Sequence, residues 1–319
     1  MKKYIILGVI ISLILGVAVI SEMRETSKTQ FVLNTVSTIT VKGNHSDAVD
    51  KAFARISEIE KHMSSHIATS DIVTGNLNLD TSYVISQGLG YGKISNGLFD
   101  ITIKPICDLW DINGENPRLP DREEIDKALK FVNYKKVGFS NGNLVMDNGM
   151  EIELGGIAKG YAADEACRIL REEGITDGFI DLGGNIVAIG TKTVGIRNPL
   201  SENNGEYFGT LQITDCAVAT SGGYERYFEQ DGKKYHHIFD PSTGYPVETD
   251  VLSATVVSEK AIDADCWSTI LFSAGVEKAR EYISKYNLIA ILVDVNNNVY
   301  VFGNVNFELE TNLGFNLAN

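Results

Sequence analysis

The side chains able to do chemistry fall in four short segments of the 319-residue chain. Ala264-Asp265-Cys266-Trp267-Ser268-Thr269 places a carboxylate and a hydroxyl four residues apart on one helix face, where both can give oxygen to a hard cation such as Mg2+. An ordinary helix start, with Asp265 near the positive dipole end and Thr269 packed, would have the same spacing. Glu153-Leu154-Gly155-Gly156-Ile157-Ala158-Lys159-Gly160 reads as a strand passing through paired glycines into a helix whose free amides suit phosphate oxygens. It lacks the Gly-Lys-Ser/Thr ending of a P-loop, and a tight connection leaves the same pattern. Tyr235-His236-His237 precedes a turn marked by Asp240-Pro241 and Thr243-Gly244, so one histidine could be a general base at a cleft rim, or both could be structural. Ser95-Asn96-Gly97-Leu98-Phe99-Asp100 is a turn with a ring and a carboxylate, weak on its own.

Charge limits the partners. Lys and Arg number 28 against 42 Asp and Glu, a net charge of -14, which excludes the cationic face that nucleic acid requires. A small anion such as a nucleotide needs backbone amides or a metal ion to reverse the repulsion locally. Cys107, Cys167, Cys216 and Cys266 are isolated, with no zinc spacing; they read as buried thiols, with one disulfide left open by the sequence. Met1-Lys2-Lys3 precedes an uncharged apolar run from Tyr4 to Ser21, read as a signal sequence or a membrane anchor over residues 1–21 that exports the rest. No Cys follows to accept lipid. Residues 22–30 then read as a polar linker, and residues 31–319 as one body.

The elements that must position these segments mix helices and strands without regular alternation, so the fold class is α+β. Phe31 to Val41 reads as a strand. Ser46 to Met63 is an amphipathic helix, with Val49, Ala52, Phe53, Ile56, Ile59 and Met63 on one face. Asp121 and Glu124 form a capping box, and Asn141-Gly142, Asn148-Gly149 and Asp231-Gly232 mark hairpins. Ala158 to Glu173 is a helix. Strands are expected at residues 179–182, 186–189, 194–196, 211–213, 289–293 and 299–302, with a helix over 263–286 broken near Gly275. Gly88-x-Gly90-x-Gly92 lacks the rest of a dinucleotide fingerprint and a following helix.

Six motifs in one order carry a resemblance: Ser95 to Asp100 with Leu109-Trp110; Glu153 to Gly160 with Tyr161-Ala162-Ala163-Asp164; Asp181-Leu182-Gly183-Gly184-Asn185; Ala219 to Phe228; His237 to Pro246; and Ala264 to Thr269. Over about Phe31 to Phe302 the chain resembles the ApbE family of FAD:protein FMN transferases. The resemblance implies a T-fold-like body of mixed sheets with packed helices. It implies transfer of the FMN half of FAD to a Thr or Ser hydroxyl of an exported or membrane-bound flavoprotein subunit, with Mg2+ on the pyrophosphate and release of AMP. It implies metal ligation by the Gly156 carbonyl, Asp265 and Thr269, with His237 as the base. For FAD it implies a lining of Leu33, Asn76, Leu98, Phe99, Asp100, Glu153, Lys159, Ile238 and Ser268. Leu33 stands where the family usually has Met, Glu153 where it has Asp, and Ser65 to Asn76 matches only loosely. FAD hydrolysis to FMN and AMP, or membrane-tethered FAD storage without catalysis, are the competing outcomes; storage needs no base.

Overall fold

The computed structural model describes residues 24–140, 143–203, 205–310 and 313–318. The expected anchor over residues 1–21 and the Asn141-Gly142 turn lie outside them. Among the described residues, no helix is long and apolar enough to cross a membrane.

In chain order the elements begin with β1 (Glu25–Val32), β2 (Thr35–Lys42), α1 (Ser46–Met63), α2 (Asp71–Thr74), α3 (Leu79–Ile94), α4 (Lys104–Trp110) and α5 (Arg122–Ala128). The hairpin of β3 (Gly138–Ser140) and β4 (Asn143–Val145) then precedes α6 (Ala158–Glu172). Next come β5 (Gly178–Leu182), β6 (Asn185–Ile189), β7 (Thr191–Arg197), β8 (Tyr207–Thr214), β9 (Ala217–Gly222), β10 (Tyr227–Gln230), β11 (Lys233–His236) and β12 (Val251–Ser258). The chain closes with α7 (Ala261–Tyr286), β13 (Ile289–Asp294), β14 (Asn298–Phe302), β15 (Asn306–Leu309) and β16 (Asn316–Ala318).

A nine-stranded sheet in the order β1-β2-β5-β6-β9-β12-β13-β14-β16 forms the middle layer. Period-2 alternation decides what each face meets. Ala217 and Ala219, Ala254 and Val256, and Ala290 and Leu292 turn to the core shared with α1, α6 and α7. Val218, Ile291 and Val293 turn the other way, onto the three-stranded layer β15-β8-β7 around Phe208 and Leu211. The helical face of α1 holds as expected: Val49, Ala52, Phe53, Ile56, Ile59 and Met63 are all buried. Each such burial is worth roughly 1.5–3 kcal/mol for the larger side chains.

Several expectations are corrected. The stretch 22–30 is not simply a linker, since Glu25–Val32 pairs along its whole length with Thr35–Lys42. The expected strand from Phe31 is broken by a two-residue turn, with Leu33 at φ 54 and Asn34 at φ 55. Glu153 lies outside any strand, its amide bonded to the Ile101 carbonyl at 2.7 Å. The Asn148-Gly149 turn is made by Met150 N on Asp147 O, but only β3 and β4 pair nearby. Gly88, Gly90 and Gly92 lie inside α3, where a Cβ on Gly88 would fall 2.6 Å from Ile101. Two central strands, β9 and β12, carry no sequence signal: one is built of small residues, and the other is buried on both faces and so does not alternate. The Asp121–Glu124 capping box, the Asp231-Gly232 hairpin and the helix break at Gly275 (φ 75, ψ 163) are all present. All four cysteines are free.

Candidate active site

Two helix starts cross beside the Gly155-Gly156 joint, and each is capped by the other. Asp164, on α6, accepts from the first free amides of α7, Ala261 N at 2.7 Å and Ile262 N at 3.0 Å. Asp265, on α7, accepts from Gly160 N near the start of α6 at 3.0 Å. Orphan amides at both ends are thereby satisfied by carboxylates that also suit the positive dipole ends. The crossing requires a glycine, because a Cβ at 160 would lie 2.4 Å from the Ala261 carbonyl oxygen. Burial pushes the Asp164 carboxyl up to about 6, partly offset by the two amides it accepts.

Asp265 is 5% exposed, and its second oxygen lies 3.3 Å from Lys159 Nζ. With its amide turned, Asn185 bridges the pair, accepting from Lys159 Nζ at 2.8 Å and donating to Asp265 Oδ1 at 3.3 Å. One turn on, Thr269 Oγ1 sits 3.2 Å from Ser221 Oγ and 3.3 Å from the Asp265 carbonyl. The Gly156 carbonyl meets the same helix at Cys266, whose Sγ lies 3.9 Å away. Asp265, Thr269 and the Gly156 carbonyl therefore gather around the start of α7. Their donor atoms are all oxygen, which fits a hard divalent cation. Among the described residues, no group of three or more His, Cys, Asp or Glu could hold a metal, so a cation here depends on the carbonyl and hydroxyl.

The two histidines separate cleanly. His236 uses both ring nitrogens: Nδ1 accepts from Ile238 N at 3.3 Å, which leaves Nε2–H to donate to the Val247 carbonyl at 3.1 Å. His237 follows β11 directly, and its amide bonds the Arg226 carbonyl at 3.2 Å, extending the β10–β11 ladder by one step. Its Nδ1 lies 3.2 Å from that same carbonyl, so Nδ1 carries the proton and Nε2 keeps its lone pair. Burial, aided by the charges of Arg226 and Lys159, presses the imidazole down to about 3, so it is neutral near pH 7. The loop beyond it is anchored by the fully buried Trp110, whose Nε1 donates to Gly244 O at 2.8 Å. Arg226 Nη2 reaches the other way, donating to the Asn34 carbonyl at 3.0 Å and fastening the β1–β2 turn, with Leu33, to the histidine loop.

The remaining expected residues divide. Phe99, 6% exposed, lies against Gly156, since a Cβ there would stand 3.1 Å from its ring. Leu98 is half-buried beside it and Ile238 packs into the main core. Glu153 folds back on its own loop, accepting from Gly155 N at 2.8 Å and Ser65 Oγ at 2.6 Å; it therefore shapes the glycine joint. Asp100 accepts from Thr102 and from Tyr134 N, so it holds a buried turn. Ser268 is likewise turned inward, at 1% exposure, between Ser221 and the Asp265 carbonyl. Asn76 is exposed, and its amide bonds locally to Thr74 Oγ1; among the described residues no hydrogen bond joins it to Asp265. Asn185, Ser221, Asp164 and Arg226 were not singled out from the sequence, although each lies inside a motif quoted above; polar residues flanking glycine turns were the available signal.

The ApbE family profile matches residues 33–293. The chain is 39% identical over 188 residues to the FAD:protein FMN transferase of Klebsiella pneumoniae, covering 58% of this chain and 59% of that protein. It is 29% identical over 312 residues to the FAD:protein FMN transferase of Treponema pallidum, covering 86% of each. The match thus spans less than two thirds of the Klebsiella protein's length and most of the Treponema protein's. Among solved structures, the ApbE protein of Thermotoga maritima superposes with a TM-score of 0.79 at 30% identity, covering 90% of this chain and 97% of that one. Match and geometry converge on the same segments, and the chain belongs to the ApbE family.

Proposed function

We propose that this protein is an FAD:protein FMN transferase whose acceptor is a Thr or Ser hydroxyl of an exported or membrane-bound flavoprotein. The observation that carries the reading is the pairing of a neutral His237, its Nε2 free of protein partners among the described residues, with Lys159 beside a set of oxygen donors suited to a cation, the Gly156 carbonyl, Asp265 and Thr269. Storage of FAD would need the second alone. The acceptor oxygen attacks the FMN phosphorus, the bond from that phosphorus to the bridging oxygen breaks, and AMP leaves with that oxygen. The hydroxyl proton passes to His237 Nε2, held in the right tautomer by the Arg226 carbonyl.

Lys159, at the start of α6, attracts the pyrophosphate, and Phe99 and Leu33 bound the space for the flavin nucleotide. Asp265, Thr269 and the Gly156 carbonyl would hold Mg2+, which neutralises charge on the pyrophosphate oxygens when bound. On a chain of net charge -14, such a site is where an anionic substrate becomes acceptable. The apolar run over residues 1–21 would keep the body at the outer face of the membrane, uncleaved or as an exported form. Incubating the protein with FAD, Mg2+ and a Thr-bearing acceptor, then weighing the acceptor, tests the reading: added mass of FMN is expected. Free FMN and AMP with an unmodified acceptor would make it a hydrolase, and intact FAD a storage protein.

A further inference from the structure

We infer that the acceptor protein docks as an extended segment along the free edge of β1, with its apolar contact on the Phe31–Val36 pair beside the histidine loop. The inference rests on the transferase reading, because it names where that reaction's protein substrate lies.

β1 is an edge of the nine-stranded sheet among the described residues. Natural sheets blunt such edges with bulges, Pro or free Lys, since unpaired N–H and C=O groups recruit strands. β1 has none of these. Its register runs unbroken from Glu25 opposite Lys42 to Val32 opposite Thr35, it contains no Pro, and its one Lys, Lys28, is turned to α1 on Asp50 at 2.6 Å. The outer face of the hairpin is graded. Far from the turn, Ser27–Thr40 and Thr29–Thr38 hydrogen bond across the strands at 2.8 and 2.9 Å. Next to the turn, the cross-strand pair is Phe31, 73% exposed, and Val36, 62% exposed. A strand added to β1 places a side chain beside Phe31 on that face, extending an apolar row of two to three.

The apolar end points to the chemistry. From Phe31 the chain reaches Leu33-Asn34 within three residues, Asn34 O is held by Arg226 Nη2, and the Arg226 carbonyl holds His237 Nδ1. An acceptor laid along β1 thus runs toward the imidazole that must take its hydroxyl proton. Backbone pairing supplies affinity without reading sequence, and the Phe31–Val36 row selects an apolar neighbour of the acceptor hydroxyl.

The test uses an acceptor that the wild-type protein flavinylates; if none is modified, the transferase reading itself fails. In Phe31→Ser/Val36→Ser both changed side chains are exposed, so the fold should persist. The acceptor KM is expected to rise about tenfold with FAD affinity unchanged. Leu317→Ser, 64% exposed on the opposite edge strand, is expected to have no effect. Hydrogen exchange at β1 amides should slow only when acceptor is added. An unchanged acceptor KM, or β1 exchange that acceptor does not slow, overturns the proposal. So does protection already present without acceptor, which would mean that the edge is occupied by the chain itself or by a second copy.

Discussion

The two sides of the site are held by opposite means. On the anion side, α6 and α7 exchange buried carboxylates for each other's free amides, and Lys159 and Asn185 close over Asp265. On the histidine side, His237 is held by one backbone carbonyl and a loop pinned by Trp110, and among the described residues no charged side chain bonds its ring. In the proposed reaction, charge and rigidity would serve the side that holds the anion, and a neutral ring would serve the side that receives the proton. Removing a group from the first side should therefore damage fold and function together, and from the second mainly function.

Asp265→Ala is the largest break. It strips Gly160 N and the partly buried Lys159 of their acceptor, at a cost of roughly 3 kcal/mol of stability. Transfer should fall about 100-fold or more with the loss of charge stabilisation at the pyrophosphate. Adding Lys159→Met should recover much of the stability and none of the activity; recovered activity would detach Asp265 from the chemistry. His237→Ala should lower transfer by about 10²–10⁴ while leaving FAD affinity and melting temperature at pH 7 nearly unchanged. A matching loss of FAD affinity would make the residue structural.

The contrast also explains what was legible beforehand. Asp265, Thr269, Lys159 and Gly156 are local patterns, glycine pairs and helical spacing, which short-range physics constrains. The reciprocal caps are not, because Asp164 and Ala261 are joined only by the crossing at Gly160. Asp100 and Ser268 carry polar groups in the right motifs but turn inward, and only tertiary packing decides that. Helices α1, α6 and α7 and strands β5, β6, β13 and β14 were readable in the sequence, whereas α3, with three glycines inside it, and the edge strands β1 and β16 were not. β12 was not, since a strand buried on both faces shows none. Leu33 was placed in a strand because its strained left-handed turn uses a residue type that turn chemistry would not nominate.

Trp110→Phe probes the softer side. It removes the bond to Gly244 O while keeping a ring among Phe228, Tyr235, Phe239 and Tyr245, so about 1 kcal/mol of stability should be lost. Transfer should drop a few-fold as His237 loosens, with FAD affinity unmoved. A weakened FAD affinity with unchanged turnover would show that the loop serves the nucleotide.

The smallest effect separates the two sides by pH. His237 is pressed from the usual histidine range to about 3, so as pH falls below 6.5 the unfolded chain gains a proton that the folded one refuses. Its contribution to stability is complete above 6.5 and is lost as pH drops toward 3, at most about 1.4 kcal/mol per unit, and less because the ring is half-buried rather than sealed. Asp164 runs the other way. Raised to about 6, it holds a proton in the folded state that the unfolded chain has released, so its contribution is complete below the ordinary carboxylate range and is lost as pH rises through 6. Between pH 4 and 6 the two slopes oppose, and the wild-type melting temperature should change little on their account. His237→Gln should then reveal a protein that gains stability on acidification, and Asp164→Asn one that loses it more steeply. Parallel melting curves for the two variants against pH would mean that neither side is charged as the geometry requires.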